Sequence, residues 1–161
     1  IIFLNNLSTK FNTIVKNQNY FYDYANIDQV YNEFKHDNKI KKIRIKDLVS
    51  ESRLIISTYY GTTLFQMMSN DIPNILVIRK SHYKFEKEFN YFLHELKKHN
   101  FLFYNSKNAA DFINKNFHIY LDNWKNNEKF IKLRAEFRKK YCKNNLGWQN
   151  IVVNKIFKKQ N

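Results

Sequence analysis

Two glycines and a single proline in 161 residues leave this chain with almost none of the residues that punctuate turns and domain boundaries. Gly61 and Gly147 are too few for a Walker-type or dinucleotide-type fingerprint, which excludes the two commonest glycine-rich phosphate loops. The one cysteine, Cys142, can form no internal disulfide and no thiolate cluster for structural zinc, and reads as a partly buried thiol on a helix. The five histidines, His36, His82, His94, His99 and His118, lack metal-ligand spacing. His94 and His99 stand five apart on diverging helix faces, and with His118 they read as surface residues. No metal is indicated, and no nucleophile triad is evident. No apolar run approaches the roughly 20 residues that cross a bilayer, and Ile1-Ile2-Phe3-Leu4 is too short for a signal peptide. The expected location is the cytoplasm.

What the chain does have is apolar and aromatic mass, 43% and 17%, enough for the core of one ordinary domain. Its net charge of +14 invites a nucleic-acid interface, but the charge is nearly all lysine, scattered through every segment. Arginine, which grips phosphates and bases bidentately, is limited to Arg44, Arg53, Arg79, Arg134 and Arg138. A basic nucleic-acid-binding module is therefore an alternative that the composition argues against.

Residues 1–4 read as a buried strand with no preceding cap, so the expectation is a piece of a longer protein. Residues 27–36 read as a short helix, 41–45 as a strand, 46–53 as a helix turning Leu48 and Val49 inward, and 54–57 as a fully buried strand. Gly61 can supply a tight turn, and Thr63 with Gln66 three residues on has capping-box spacing. Leu64, Met67 and Met68 then face the core, the helix ends at Asn70-Asp71, and Pro73 marks entry to a strand over 74–78. A helix over 84–98 carries the stripe Phe85, Phe89, Phe92, Leu93 and Leu96. A strand over 101–104 follows, and Ser106 is expected to cap a helix with Ala109, Ala110, Phe112 and Ile113 inward. Two C-terminal helices, over about 127–159, are built around Phe130, Leu133, Phe137 and Tyr141 and around Trp148, Ile151, Val152 and Ile156. Strands alternating with helices across short loops imply a parallel sheet covered on both faces, in a single domain spanning 1–161.

Ligands of such sheets bind beyond the carboxyl ends of the strands. The loop Ser57-Thr58-Tyr59-Tyr60-Gly61-Thr62-Thr63 offers small hydroxyls, a glycine and a helix start, where free N–H groups and the helix dipole favour a phosphate. The loop Arg79-Lys80-Ser81-His82-Tyr83-Lys84 brings cations and an imidazole to the same edge.

Ser52-Arg53-Leu54-Ile55-Ile56, Tyr60-Gly61-Thr62-Thr63-Leu64-Phe65-Gln66 and Asn70-Asp71-Ile72-Pro73-Asn74-Ile75 carry a family pattern, continued by Ala109-Ala110, Asp122-Asn123-Trp124, Arg134, Phe137 and Tyr141. Over residues 40–157 the chain resembles the transferases of bacterial O-antigen and surface-carbohydrate clusters. The resemblance implies a Rossmann-like C-terminal domain of the GT-B glycosyltransferase fold, binding a nucleotide-sugar donor with no metal or other cofactor. It implies donor contacts at Thr62, Thr63 and Gln66, with Gln66 where the family has a ribose-binding Glu and Asn100 where it has a glycine, and the two loops add Tyr60, Gly61, Arg79 and His82 as candidates. It further implies an N-terminal acceptor domain outside this chain, a glycan or lipid-linked acceptor, and peripheral contact with the inner face of the cytoplasmic membrane. A polyol-phosphate transferase using CDP-activated glycerol shares the hydroxyl-rich helix start and is the neighbouring alternative.

Overall fold

Short apolar runs separated by amphipathic segments dictate a layered architecture, because each run can be buried only between two helical covers. A computed structural model describes residues 2–15, 39–40 and 45–142. α1 (Ile2–Asn6) precedes β1 (Ile14–Val15), which pairs in parallel with β2 (Lys39–Ile40). α2 (Ile45–Glu51), β3 (Ile55–Ser57), α3 (Thr62–Ser69), β4 (Asn74–Val77), α4 (Lys87–Lys98), β5 (Leu102–Phe103), α5 (Ser106–Asn126) and α6 (Glu128–Tyr141) follow, with a 3-10 turn at Lys80–His82. β3, β4 and β5 form a parallel sheet in that order, so the fold is Rossmann-like α/β, as the alternation predicts.

Pleating and register place Ile55, Ser57, Asn74, Leu76 and Leu102 on one face, and Ile56, Ile75, Val77 and Phe103 on the other. α3 covers the first face, with Asn74 Nδ2 3.6 Å from Met68 Sδ. α5 covers the second, with the Phe103 and Phe112 rings 5.3 Å apart. α6 returns to the first side, where Phe137 meets Phe65 at 5.6 Å and Phe92 at 6.0 Å. Leu64, Met67 and Met68 of α3, and Phe89, Phe92, Leu93 and Leu96 of α4, are buried as their spacing predicts. Asn100 takes the left-handed conformation at φ 62, the tolerance expected of Asn in a glycine position.

A polar knot with a buried arginine joins the end of α3 to the α5–α6 pair. Asp71 sits just past α3 at φ 58. Its carbonyl accepts from Trp124 Nε1 at 3.1 Å, and its carboxylate accepts from Arg134 Nε at 2.7 Å. Arg134 Nη1 donates to the Trp124 carbonyl, and the guanidinium lies 4.4 Å from the centre of the Trp124 ring. Nearby, the fully buried Tyr120 hydroxyl donates to the Asn74 carbonyl at 2.6 Å.

Several local expectations are corrected. The strand expected at 1–4 is a helix over Ile2–Asn6, since so short an apolar run has no distinguishing period and Asn114, bonded to Ser8 N–H and Asn6 O, decides its docking. Ile45, expected to end a strand, opens α2. The helix expected from 84 begins at Lys87, because Tyr83 and Phe85 leave the extended lead-in to stack 5.5 Å apart. Asn105 rather than Ser106 caps α5, accepting from Asn108 N–H at 3.0 Å. The expectations for 27–36, for 41–44 and for the helix around Trp148 and Ile156 lie outside the described residues.

His99 also departs from its surface assignment. It closes α4 half-buried, its ring 5.6 Å from Phe130 and its Nε2 3.8 Å from Glu95 Oε2. Desolvation pulls its pKa below the ordinary 6.5, partly opposed by Glu95 and reinforced by Lys98 and Lys129. The unfolded chain therefore takes up this proton first as pH falls, so stability is whole above about 6.5 and declines below it towards the folded-state pKa. Urea unfolding of wild type and His99→Gln from about pH 7.5 to about pH 5, across the titration range of His, should show a smaller acid loss in the variant. Parallel losses would remove His99 as a source.

Candidate functional site

Because β3 and β4 run parallel in register, with Ser57 opposite Leu76, the loops leaving their carboxyl ends emerge on one edge. A bond between them fixes this pairing: Tyr60 N–H donates to the Tyr83 hydroxyl at 3.1 Å. The Tyr60 ring turns inward, meeting Phe85 at 4.9 Å, Phe89 at 5.2 Å, Phe65 at 5.6 Å and Tyr83 at 6.1 Å. Burial, followed by the nearby Tyr141 hydroxyl, raises the Tyr60 pKa, so the phenol stays neutral and serves as the anchor of the loop.

The start of α3 differs from the capping box that the sequence predicts. The helix begins at Thr62, so Thr63 is already inside it and Gly61 holds the cap position without a side-chain bond. Gly61 is extended at φ −173, and what requires a glycine there is the Tyr59 ring, which an added Cβ would strike. No acidic residue stands in the first turn to oppose the positive end of the helix dipole. Thr62 is exposed and Thr63 half-buried, with its Oγ1 3.4 Å from the Tyr59 hydroxyl. Gln66 is exposed one turn beyond Thr62, so the two share a helix face.

In the second loop Arg79, Lys80, Ser81 and His82 are all exposed, and the turn closes with His82 N–H donating to Arg79 O at 3.1 Å. The structure thus gathers Gly61, Thr62, Thr63 and Gln66 on α3, puts Arg79 and His82 on the adjoining loop, and turns the Tyr60 ring away into the core.

Sequence reasoning placed Ser57 in the first loop but gave it no part of its own in the site. It is 7% exposed, and its Oγ has no hydrogen-bond partner. The available signal was a hydroxyl residue closing an otherwise apolar strand. A second cleft of about 730 Å³ lies between α1, α2, β3 and α5, lined by Leu7, Phe11, Arg53, Ile56, Thr58 and Phe117 among others. Among the described residues no helix is long and apolar enough to cross a membrane.

The family described as LIC12162 family transferase matches residues 1–156 of the chain. No curated protein and no solved structure matches.

Proposed function

Since the chain belongs to the LIC12162 family of transferases, we propose that the group transferred is a glycosyl unit, carried by a nucleotide-activated sugar and destined for surface carbohydrate such as O-antigen. The donor diphosphate sits at the start of α3. The observation that carries this reading is the uncapped first turn of α3, with the exposed Thr62 hydroxyl, at the edge where the Arg79 and His82 loop also emerges.

The chemistry follows from charge. In glycosyl transfer the bond from the anomeric carbon to the diphosphate breaks, and negative charge grows on the leaving phosphate oxygen. Helix N–H groups, the Thr62 and Thr63 hydroxyls and the Arg79 side chain oppose that charge, and an N–H of the His82 ring adds to them. Gln66, on the Thr62 face, offers an amide to the ribose hydroxyls without the charge of a carboxylate. The acceptor and any general base come from outside this chain's described residues.

A thermal-shift panel of UDP, GDP, CMP and ADP sugars on the full-length protein tests this. One nucleotide should raise Tm by about 2–4 °C or more once its concentration is well above Kd. Silence from every sugar nucleotide would count against the reading, and product masses showing phosphoglycerol instead of hexose would move the enzyme to the polyol-phosphate class.

A further inference from the structure

We propose that the apolar cleft beside β3 and a smaller charged pocket next to it form one binding site, for an amphiphile with a single apolar chain ending in a phosphate. The cleft, about 730 Å³, has the size of a small-molecule site. Its walls are mainly apolar, with Leu4, Leu7, Phe11, Ile56, Ile113 and Phe117 among them. The pocket, about 330 Å³, is lined by Arg53, Pro73, His118, Leu121, Asp122 and Lys125. Arg53 and His118 belong to both walls, so the apolar space and the charged one meet at these two side chains.

The charged pocket follows from helix spacing. His118, Leu121, Asp122 and Lys125 fall at i, i+3, i+4 and i+7 of α5 and share one stripe. That stripe lines the pocket together with Arg53 and Pro73, which stand just before β3 and β4. The pocket therefore lies at the amino ends of these strands, at the end of the sheet opposite the candidate donor loops, and the proposal does not rest on the donor reading.

The Arg53 guanidinium marks the head of the ligand as an anion. Among the described residues it has no carboxylate partner, and it lies 5.5 Å from the centre of the Phe117 ring. Stacking on a ring occupies the face of the guanidinium and leaves the N–H groups in its plane to grip two phosphate oxygens. Phe117 also meets Phe11 at 5.0 Å and the His118 ring at 5.2 Å, so one residue walls the apolar cleft and steadies the cation at its border. Lys125 and an N–H of the His118 ring add donors to the same pocket. The other charges of the two walls are already engaged. Asp122 Oδ1 accepts from Asn126 Nδ2 at 2.7 Å, Lys10 Nζ donates to the Asn114 carbonyl at 3.3 Å, and Glu51 holds an interaction of its own. A free phosphate would leave the apolar walls unused, and a long-chain alcohol would leave Arg53 unpaired. A molecule with both parts fills both spaces.

The test is binding of dodecyl phosphate, below its micelle-forming concentration, to the 161-residue chain, followed by calorimetry and by isoleucine methyl resonances. Dodecyl phosphate should bind at least about tenfold more tightly than inorganic phosphate or dodecanol, since a few buried methylenes and a charge-assisted bond are each worth about that factor. The Ile56 and Ile113 methyls should shift, while Ile131, exposed on α6, stays still. Arg53→Gln should weaken dodecyl phosphate about tenfold and leave dodecanol unchanged, and Lys132→Gln, an equal charge change on α6, should have no effect. Arg53 is exposed, so its variant keeps the fold, and the comparison of three ligands in wild type needs no variant. Inorganic phosphate or dodecanol binding as tightly as dodecyl phosphate removes the chain or the head from the site, and either overturns the proposal. So does dodecyl phosphate held by Arg53→Gln as tightly as by wild type, or weakened equally by the two variants, which assigns binding to the general charge of +14. Cleft methyls that respond no more than Ile131 overturn it as well.

Discussion

Arg134→Met should unfold at a clearly lower urea concentration than wild type, with a loss of about 2–4 kcal/mol. The side chain is 3% exposed, and it reaches the Asp71 carboxylate at 2.7 Å and the Trp124 carbonyl, with its guanidinium over the Trp124 ring. Methionine keeps much of the volume, so the loss is chemical: the Trp124 carbonyl loses this donor and the Trp124 ring its cation, contributions of about 1–3 and 0.5–2 kcal/mol. The ion pair itself is the smaller part, because Asp71 is 49% exposed and water screens it. Arg138 Nη1, 3.4 Å from the same carboxylate, also survives to hold Asp71. Asp71→Asn should therefore cost less, about 1 kcal/mol, and Asn keeps the left-handed backbone at φ 58. In an Arg134→Met background the Asp71 change should cost almost nothing, since its main partner is gone. Additive losses in that double-mutant cycle, or a midpoint unchanged in Arg134→Met, would show that the knot contributes little.

Thr62→Ala should weaken binding of the cognate sugar nucleotide about tenfold, the worth of one hydrogen bond to a charged phosphate, while leaving the urea midpoint nearly unmoved. Stability is spared because the Thr62 side chain is exposed and caps nothing: the cap position belongs to Gly61, which makes no side-chain bond. Thr63→Ala has a different signature. It removes the contact with the Tyr59 hydroxyl, so a loss of stability accompanies any loss of phosphate contact. Calorimetry with one sugar nucleotide should show weaker binding in both variants, and only Thr63→Ala should also lower the urea midpoint. Wild-type affinity in both variants would reduce the start of α3 to an ordinary helix terminus.

Much of the architecture was legible from local pattern. The stripe Phe89, Phe92, Leu93 and Leu96 repeats with the helical period, and those four residues are the buried ones of α4. The run at 74–77 is apolar after its first residue and follows a proline, and all four residues are buried in the central strand of the three-stranded sheet. Asn100 could be foreseen at positive φ because its short side chain tolerates what other residues resist. The loops of the candidate site were equally visible, since parallel alternation requires that the carboxyl ends of β3 and β4 share an edge. Helix starts were less legible. Thr63 and Gln66 have the spacing of a capping box, yet one residue's shift in the start of α3 puts Thr63 inside the helix, and spacing alone cannot register that shift.

By itself the sequence determined what depends on neighbours along the chain: which segments between residues 54 and 141 are helix or strand, which stripe of each of those helices is apolar, and that the sheet is parallel with its loops on a common edge. Only the tertiary structure decided which of two adjacent tyrosines faces the core, because Tyr60 is drawn in by rings up to 29 positions away while Tyr59 is left over Gly61. It likewise decided that Arg134 is buried, through an Asp71 that lies 63 residues earlier, and that the Ser57 hydroxyl is sealed without a partner. Periodicity carries information about the faces of an element, but burial and pairing of a single polar group are set by whichever distant element packs on it.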